Sequence, residues 1–179
     1  IPYNAAKVHG ITTERATEVG LPLAEVMEEF GRDLDQAEHV MGHNIEFDVN
    51  IMGAEWIRLG APAERVTDKA LIDSKDEATE FCAIPGGRGG KLKWPTLTEL
   101  HEKLFGEGFG DAHDAAYDVD ATAKCFFALV QCGVIQREGF PSGEGVQYEA
   151  PKLEAANFDQ PGPEVKVAPA APKGPAPAV

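Results

Sequence analysis

His39-Val40-Met41-Gly42-His43-Asn44-Ile45-Glu46-Phe47-Asp48 runs an apolar stretch into a turn and the turn into a helix, and the rest of the chain sorts itself around that junction. Residues 39–42 are short and mostly apolar, as a buried strand is, and Asn44 is placed to cap the segment that follows. A helix is expected there over Phe47 to Leu59, closed by Gly60 and Pro62. Upstream, Pro22, Leu23, Val26, Met27, Phe30 and Leu34 recur at helical spacing, with proline where a first turn tolerates it. An amphipathic helix over about 22–38 follows. Downstream, Val66 to Asp73 reads as a second strand, and Trp94-Pro95 precedes a helix from about Thr96 to Phe105 with Leu97, Leu100 and Leu104 on one face. A last helix, rich in Ala and Phe, is expected over about 114–131, ending near Cys132-Gly133. Strands alternating with helices indicate the α/β class. One or two credible strands are fewer than the roughly four to six of an ordinary sheet, so the chain reads as an α/β domain short of part of its sheet.

Composition narrows the possible functions. With 179 residues the chain suits one domain. Its 16 Lys and Arg against 30 Asp and Glu leave a formal charge of −14, so no broad cationic face can coat nucleic acid by counterion release. No apolar run approaches the length of a membrane span, and no charged start with an apolar stretch marks a secretory signal, so a soluble cytoplasmic protein without a membrane partner is expected. Three cysteines, Cys82, Cys125 and Cys132, are too few for a disulfide framework; a reducing compartment follows. From Phe140 on, the chain carries 8 of the 13 prolines and ends in Ala, Pro, Lys and Gly. Such a segment cannot bury enough apolar surface to offset its chain entropy. Residues 1–139 are therefore assigned to the folded domain and 140–179 to a disordered tail.

Some familiar chemistry is absent. A phosphate-cradling loop at Gly86-Gly87-Arg88-Gly89-Gly90-Lys91-Leu92 would need Gly at Pro85 and Ser or Thr at Leu92. The two serines, Ser74 and Ser142, lie in no nucleophile-elbow context, and the cysteine spacings fit no zinc site. Arg88, Lys91, Lys93 and Trp94 combine charge and a stacking ring as a nucleic-acid contact does, on what otherwise reads as a mobile surface loop.

Two segments carry the signal. Gly42-His43-Asn44-Ile45-Glu46-Phe47-Asp48 and His113-Asp114-Ala115-Ala116-Tyr117-Asp118 each bring a carboxylate into the first turn of a helix behind a loop. Five residues of helix rotate a side chain by roughly 500°, so His113 and Asp118 cannot share one helical face. They converge if His113 lies on the entering loop with Asp114 as N-cap. Hard divalent cations take oxygen ligands, and an imidazole titrating near neutrality can deprotonate an attacking water. By spacing alone, Phe47 and Tyr117 suit core packing and Asp120 faces solvent. His39, His43 and His101 read as structural or surface residues, and His9 either holds its loop through a backbone hydrogen bond or touches substrate.

In order along the chain, Val8-His9-Gly10-Ile11-Thr12, the Gly42 to Asp48 segment and the His113 to Asp118 segment resemble the DEDDh subgroup of 3′-to-5′ exonucleases, a ribonuclease H-like family that includes the proofreading subunit of bacterial DNA polymerase III. The likeness covers about residues 1–135. It implies a three-layer α/β fold with a mixed sheet and hydrolysis of phosphodiester bonds from a DNA or RNA 3′ end, with a DNA polymerase as a possible partner. It implies two Mg²⁺ or Mn²⁺ ions held in part by Asp48 and Asp118, His113 as general base, and His9, Gly10, Ile11, Thr12, Asn44 and Phe47 as substrate contacts. The family's first motif, Asp-x-Glu, is missing: no aspartate in this sequence is followed two positions later by glutamate. The expectation is therefore a domain truncated at its N-terminus, with half the metal ligands and little or no turnover by itself. The alternative is a non-catalytic scaffold of the same shape that binds a polymerase or a strand end.

Overall fold

The structure is a computed structural model that describes residues 1–86, 88–109, 115–138 and 140. Helices α1 (Tyr3–His9), α2 (Thr13–Val19) and α3 (Leu23–Gln36) precede strand β1 (His39–Gly42). Helix α4 (Ile45–Arg58) then carries the chain to β2 (Ala70–Asp73). Two single turns follow, α5 (Ser74–Glu77) and α6 (Thr79–Cys82), and then α7 (Leu97–Phe105) and α8 (Ala115–Gln131). β1 and β2 pair in parallel, His39 opposite Ala70 and Gly42 opposite Asp73, because the crossover through α4 brings the chain back to start in the same direction. Among the described residues the sheet has these two strands, and the expected mixed sheet is not present there.

Successive strand side chains point to opposite faces, and the core divides accordingly. Val40 packs with Met27, Leu34, Trp56 and Val66, the apolar stripe of α3 against α4. Met41, with Ile72 of β2, packs with Leu100, Cys125, Leu129 and Ile135, which belong to α7, α8 and the turn after α8. Helices thus cover both faces of the strand pair. Phe140 joins the second cluster through ring contacts to Phe126 and His39, at 5.8 and 5.0 Å between centroids, so packing reaches one residue past the assigned domain boundary. The remainder of the assigned tail lies outside the described residues. No helix among the described residues is long and apolar enough to cross a membrane.

The helices read from spacing appear within a few residues of their expected limits. Two elements were not legible: α1 and α2 bury no residue, so no apolar period announces them. The glycine-rich segment is closed by an antiparallel bridge between Pro85 and Leu92, with a single 3-10 turn at Arg88–Gly90.

Candidate functional site

Both strands end at the same edge, and there the chain must turn twice into helices. Gly42 allows the first turn, since a Cβ on it would lie 3.1 Å from the Ile45 Cβ. Asn44 then takes a left-handed conformation, φ 70°, which asparagine tolerates better than most residues. The expected side-chain cap by Asn44 is not made. Its carboxamide oxygen accepts from the Lys75 ammonium at 2.9 Å, and Asp73 at the end of β2 caps α4 instead. The Asn44 and Ile45 N–H groups donate to the Asp73 carboxylate at 2.9 and 3.1 Å, and the Lys75 N–H donates at 3.0 Å. One carboxylate therefore holds the first turns of α4 and α5.

Behind this anchor lies a second link. His43 sits between the Ser74 hydroxyl and the Pro95 carbonyl, each 3.0 Å from a ring nitrogen, and Ser74 is fully buried. A carbonyl only accepts, so Nε2 carries a proton toward Pro95, and the single Ser74 hydroxyl proton is shared between two acceptors, the Gly42 carbonyl at 3.0 Å and Nδ1 of the neutral ring. Burial pushes the His43 imidazole below its ordinary range, against the Pro95 carbonyl and the Asp73 charge, which favour protonation; Lys75 works with burial. As pH falls, the unfolded chain takes up this proton before the folded chain does. Stability is therefore full above the ordinary imidazole value of about 6.5 and declines below it until the depressed folded value is reached. Thermal melts are expected to show the chain losing stability as pH falls below about 6.5, with a flatter profile there in His43→Gln.

The edge opens into a cleft of about 520 Å³. Asn44, Phe47 and Asp48 line one wall, residues 96–98 another, and Phe109 with Asp118 a third. Asp48 and Asp118, first-turn carboxylates of α4 and α8, thus share one cavity. Burial pushes the Asp48 carboxyl above the ordinary range, its own N–H pulls it back, and the Asp73 charge raises it further. Burial first and the Asp73 charge after it disfavour the Asp48 carboxylate, and a cation in the cleft would offset both. As hard oxygen donors, two carboxylates match the share that Mg²⁺ usually takes from a protein. Among the described residues no group of three His, Cys, Asp or Glu side chains could hold a metal ion.

His113 lies outside the described residues. Phe109 lines the cleft, and α8 begins at Ala115. Residues 106–109 are held by His101, whose Nδ1 donates to the Glu107 carbonyl at 2.7 Å while its ring contacts Phe105 and Phe109 at 4.6 and 5.4 Å.

The structure does not bring residues 9–12 to the cleft walls. Their pattern has a local cause: His9 ends α1, Gly10 takes the left-handed cap position at φ 73°, and Thr12 caps α2 by accepting from the Arg15 N–H at 3.2 Å. His9 accepts from the Ile11 N–H at 3.1 Å, which is the loop-holding reading. Phe47, read by spacing as core, is 63% exposed on the cleft wall, and Tyr117 is also exposed. Asp120, read as solvent-facing, is largely covered and pairs with Lys124 at 2.6 Å. Cys82 and Cys125 are buried in the core, and burial pushes the Cys125 thiol up to about 12, too high for a nucleophile at neutral pH.

Sequence reasoning missed Asp73, Ser74 and Lys75. The signal was present: an apolar strand that ends in Asp-Ser is a helix start.

A family model described as Exonuclease (RNase_T) matches residues 1–126. No curated protein and no solved structure matches the chain.

Proposed function

Because the chain belongs to the exonuclease family, we propose that its cleft is one half of a nuclease centre that removes nucleotides from the 3′ end of a DNA or RNA strand. The observation that carries this reading is the meeting of Asp48 and Asp118 in one cavity, with Asp48 held in a surrounding that disfavours its charge. In a ribonuclease H-like arrangement, Asp48 and Asp118 would hold Mg²⁺ or Mn²⁺. Such an ion polarises the scissile phosphate and makes bound water acidic. His113 takes the proton from the attacking water. Asn44 and Phe47, on the wall beside Asp48, contact the terminal nucleotide.

Two carboxylates are half of the ligand set that the family resemblance implies, and no Asp-x-Glu is present to supply the rest. Residues 1–179 by themselves are therefore expected to turn over little. The test is digestion of a 5′-labelled single strand with Mg²⁺, by residues 1–179 and by the same residues preceded by a strand bearing Asp-x-Glu. A ladder of products shortened from the 3′ end, made by the extended chain, supports the proposal. Products cut internally overturn the direction, and an intact strand in both reactions leaves the scaffold reading in place of the enzyme.

A further inference from the structure

We propose that Trp94, backed by Lys75, is a stacking platform for one base of a single-stranded nucleic acid at the rim of the cleft. This rests on the nuclease reading of the cleft and extends it to where the strand lies outside the cavity. Trp94 is 62% exposed, unusual for a ring of this size. The Lys75 ammonium stands 4.5 Å from its ring centroid, so one side of the indole is backed by a cation. Lys75 is itself fixed: its side chain is 15% exposed, it donates to the Asn44 Oδ1 at 2.9 Å, and Asp73 and Asp76 lie at 3.8 and 3.9 Å. With those carboxylates beside it, Lys75 serves to set the ring and leaves phosphate contact to other groups.

The backbone on both sides of Trp94 is pinned as well. The Lys93 N–H donates to the Ile84 carbonyl at 2.8 Å, and the Pro95 carbonyl accepts from His43 at 3.0 Å. Two residues later the chain becomes cleft lining at residues 96–98, and Asn44, which holds Lys75, lines the same cleft. The ring is thus a rigid mount joined to the cleft from both sides, and it needs no ordering when a base arrives. Stacking also suits a chain of net charge −14, because it draws on the face of a base and every base has one.

The experiment uses the two tryptophans as separate reporters. Trp56 is 2% exposed, so emission changes on adding a short strand come from Trp94. Octathymidylate with a free 3′ end is titrated at low salt, with and without Ca²⁺, and followed by tryptophan emission and, with a 5′ dye, by anisotropy. The expected result is quenching on binding, about tenfold weaker affinity in Trp94→Ala, and affinity near the parent in Trp94→Phe. Binding by anisotropy with unchanged emission and equal affinity in Trp94→Ala overturns the platform and leaves the nuclease reading standing. Failure of the parent chain to bind the strand under either condition also overturns the platform, whereas the nuclease reading falls only if the chain extended with Asp-x-Glu leaves a labelled strand intact.

Discussion

Asp73→Ala lowers the stability of the folded chain by about 3 kcal/mol, a fall of about 10 °C in Tm, as measured by chemical denaturation and thermal melting. The size follows from the number of donors released. The Asp73 carboxylate accepts from the N–H groups of Asn44, Ile45 and Lys75, and its side chain is only 13% exposed. Removing one cap costs about 0.5–2 kcal/mol, and here one side chain caps two helices. Lys75 loses a neighbouring carboxylate in the same step. Asp73→Asn keeps the Oδ1 that serves Asn44 and Lys75 but turns an amide toward the Ile45 N–H, so it falls between parent and alanine. Equal melting of Asp73→Ala and the parent would show that water caps both helices just as well. Because Asp73 also raises the Asp48 carboxyl, the alanine variant is expected to relax that carboxyl toward its ordinary range.

How much of this was legible in advance depends on the kind of interaction. Met27, Leu34 and Leu100 announce themselves because burial imposes a helical period on the sequence, and all three are buried. Asp48 was legible as a first-turn acid behind a strand. Its partner in the cleft, Asp118, is 70 positions away, and only a family pattern joins the two before the structure is known. Asp73 was not legible as the cap of α4. A cap from 29 residues downstream leaves no local trace at Asn44, whose own side chain offers a plausible substitute. Phe47 misled for a related reason: an apolar side chain on a helix satisfies the core period whether its face meets protein or an open cleft. Asp120 was misplaced because its position two residues past Asp118 says which face it takes but not that Lys124 comes to cover it.

The second large effect separates activity from stability at the same residue. Asp48→Asn is expected to cut the proposed 3′-end hydrolysis by about 100-fold or more, in the chain extended with Asp-x-Glu, while leaving Tm at neutral pH equal to the parent or higher. An acid whose carboxyl is raised in the fold binds its proton more tightly there than in the unfolded chain. Its ionised form therefore costs stability above the raised folded value, and that cost disappears as pH falls below the ordinary carboxylate range. Asparagine keeps the shape and removes the charge, so its advantage in Tm is present at neutral pH and vanishes in acid. Asp118→Asn is expected to lose activity to a similar extent. Asp120→Asn, two residues along the same helix, exchanges one carboxylate for an amide opposite Lys124 and does not touch the cleft walls, so its activity stays near the parent. A residue kept for folding gives the opposite pattern, with Tm lost and turnover retained. If Asp48→Asn and Asp118→Asn both digest a labelled strand at the parent rate, these carboxylates hold no catalytic metal, whatever their shared cleft binds.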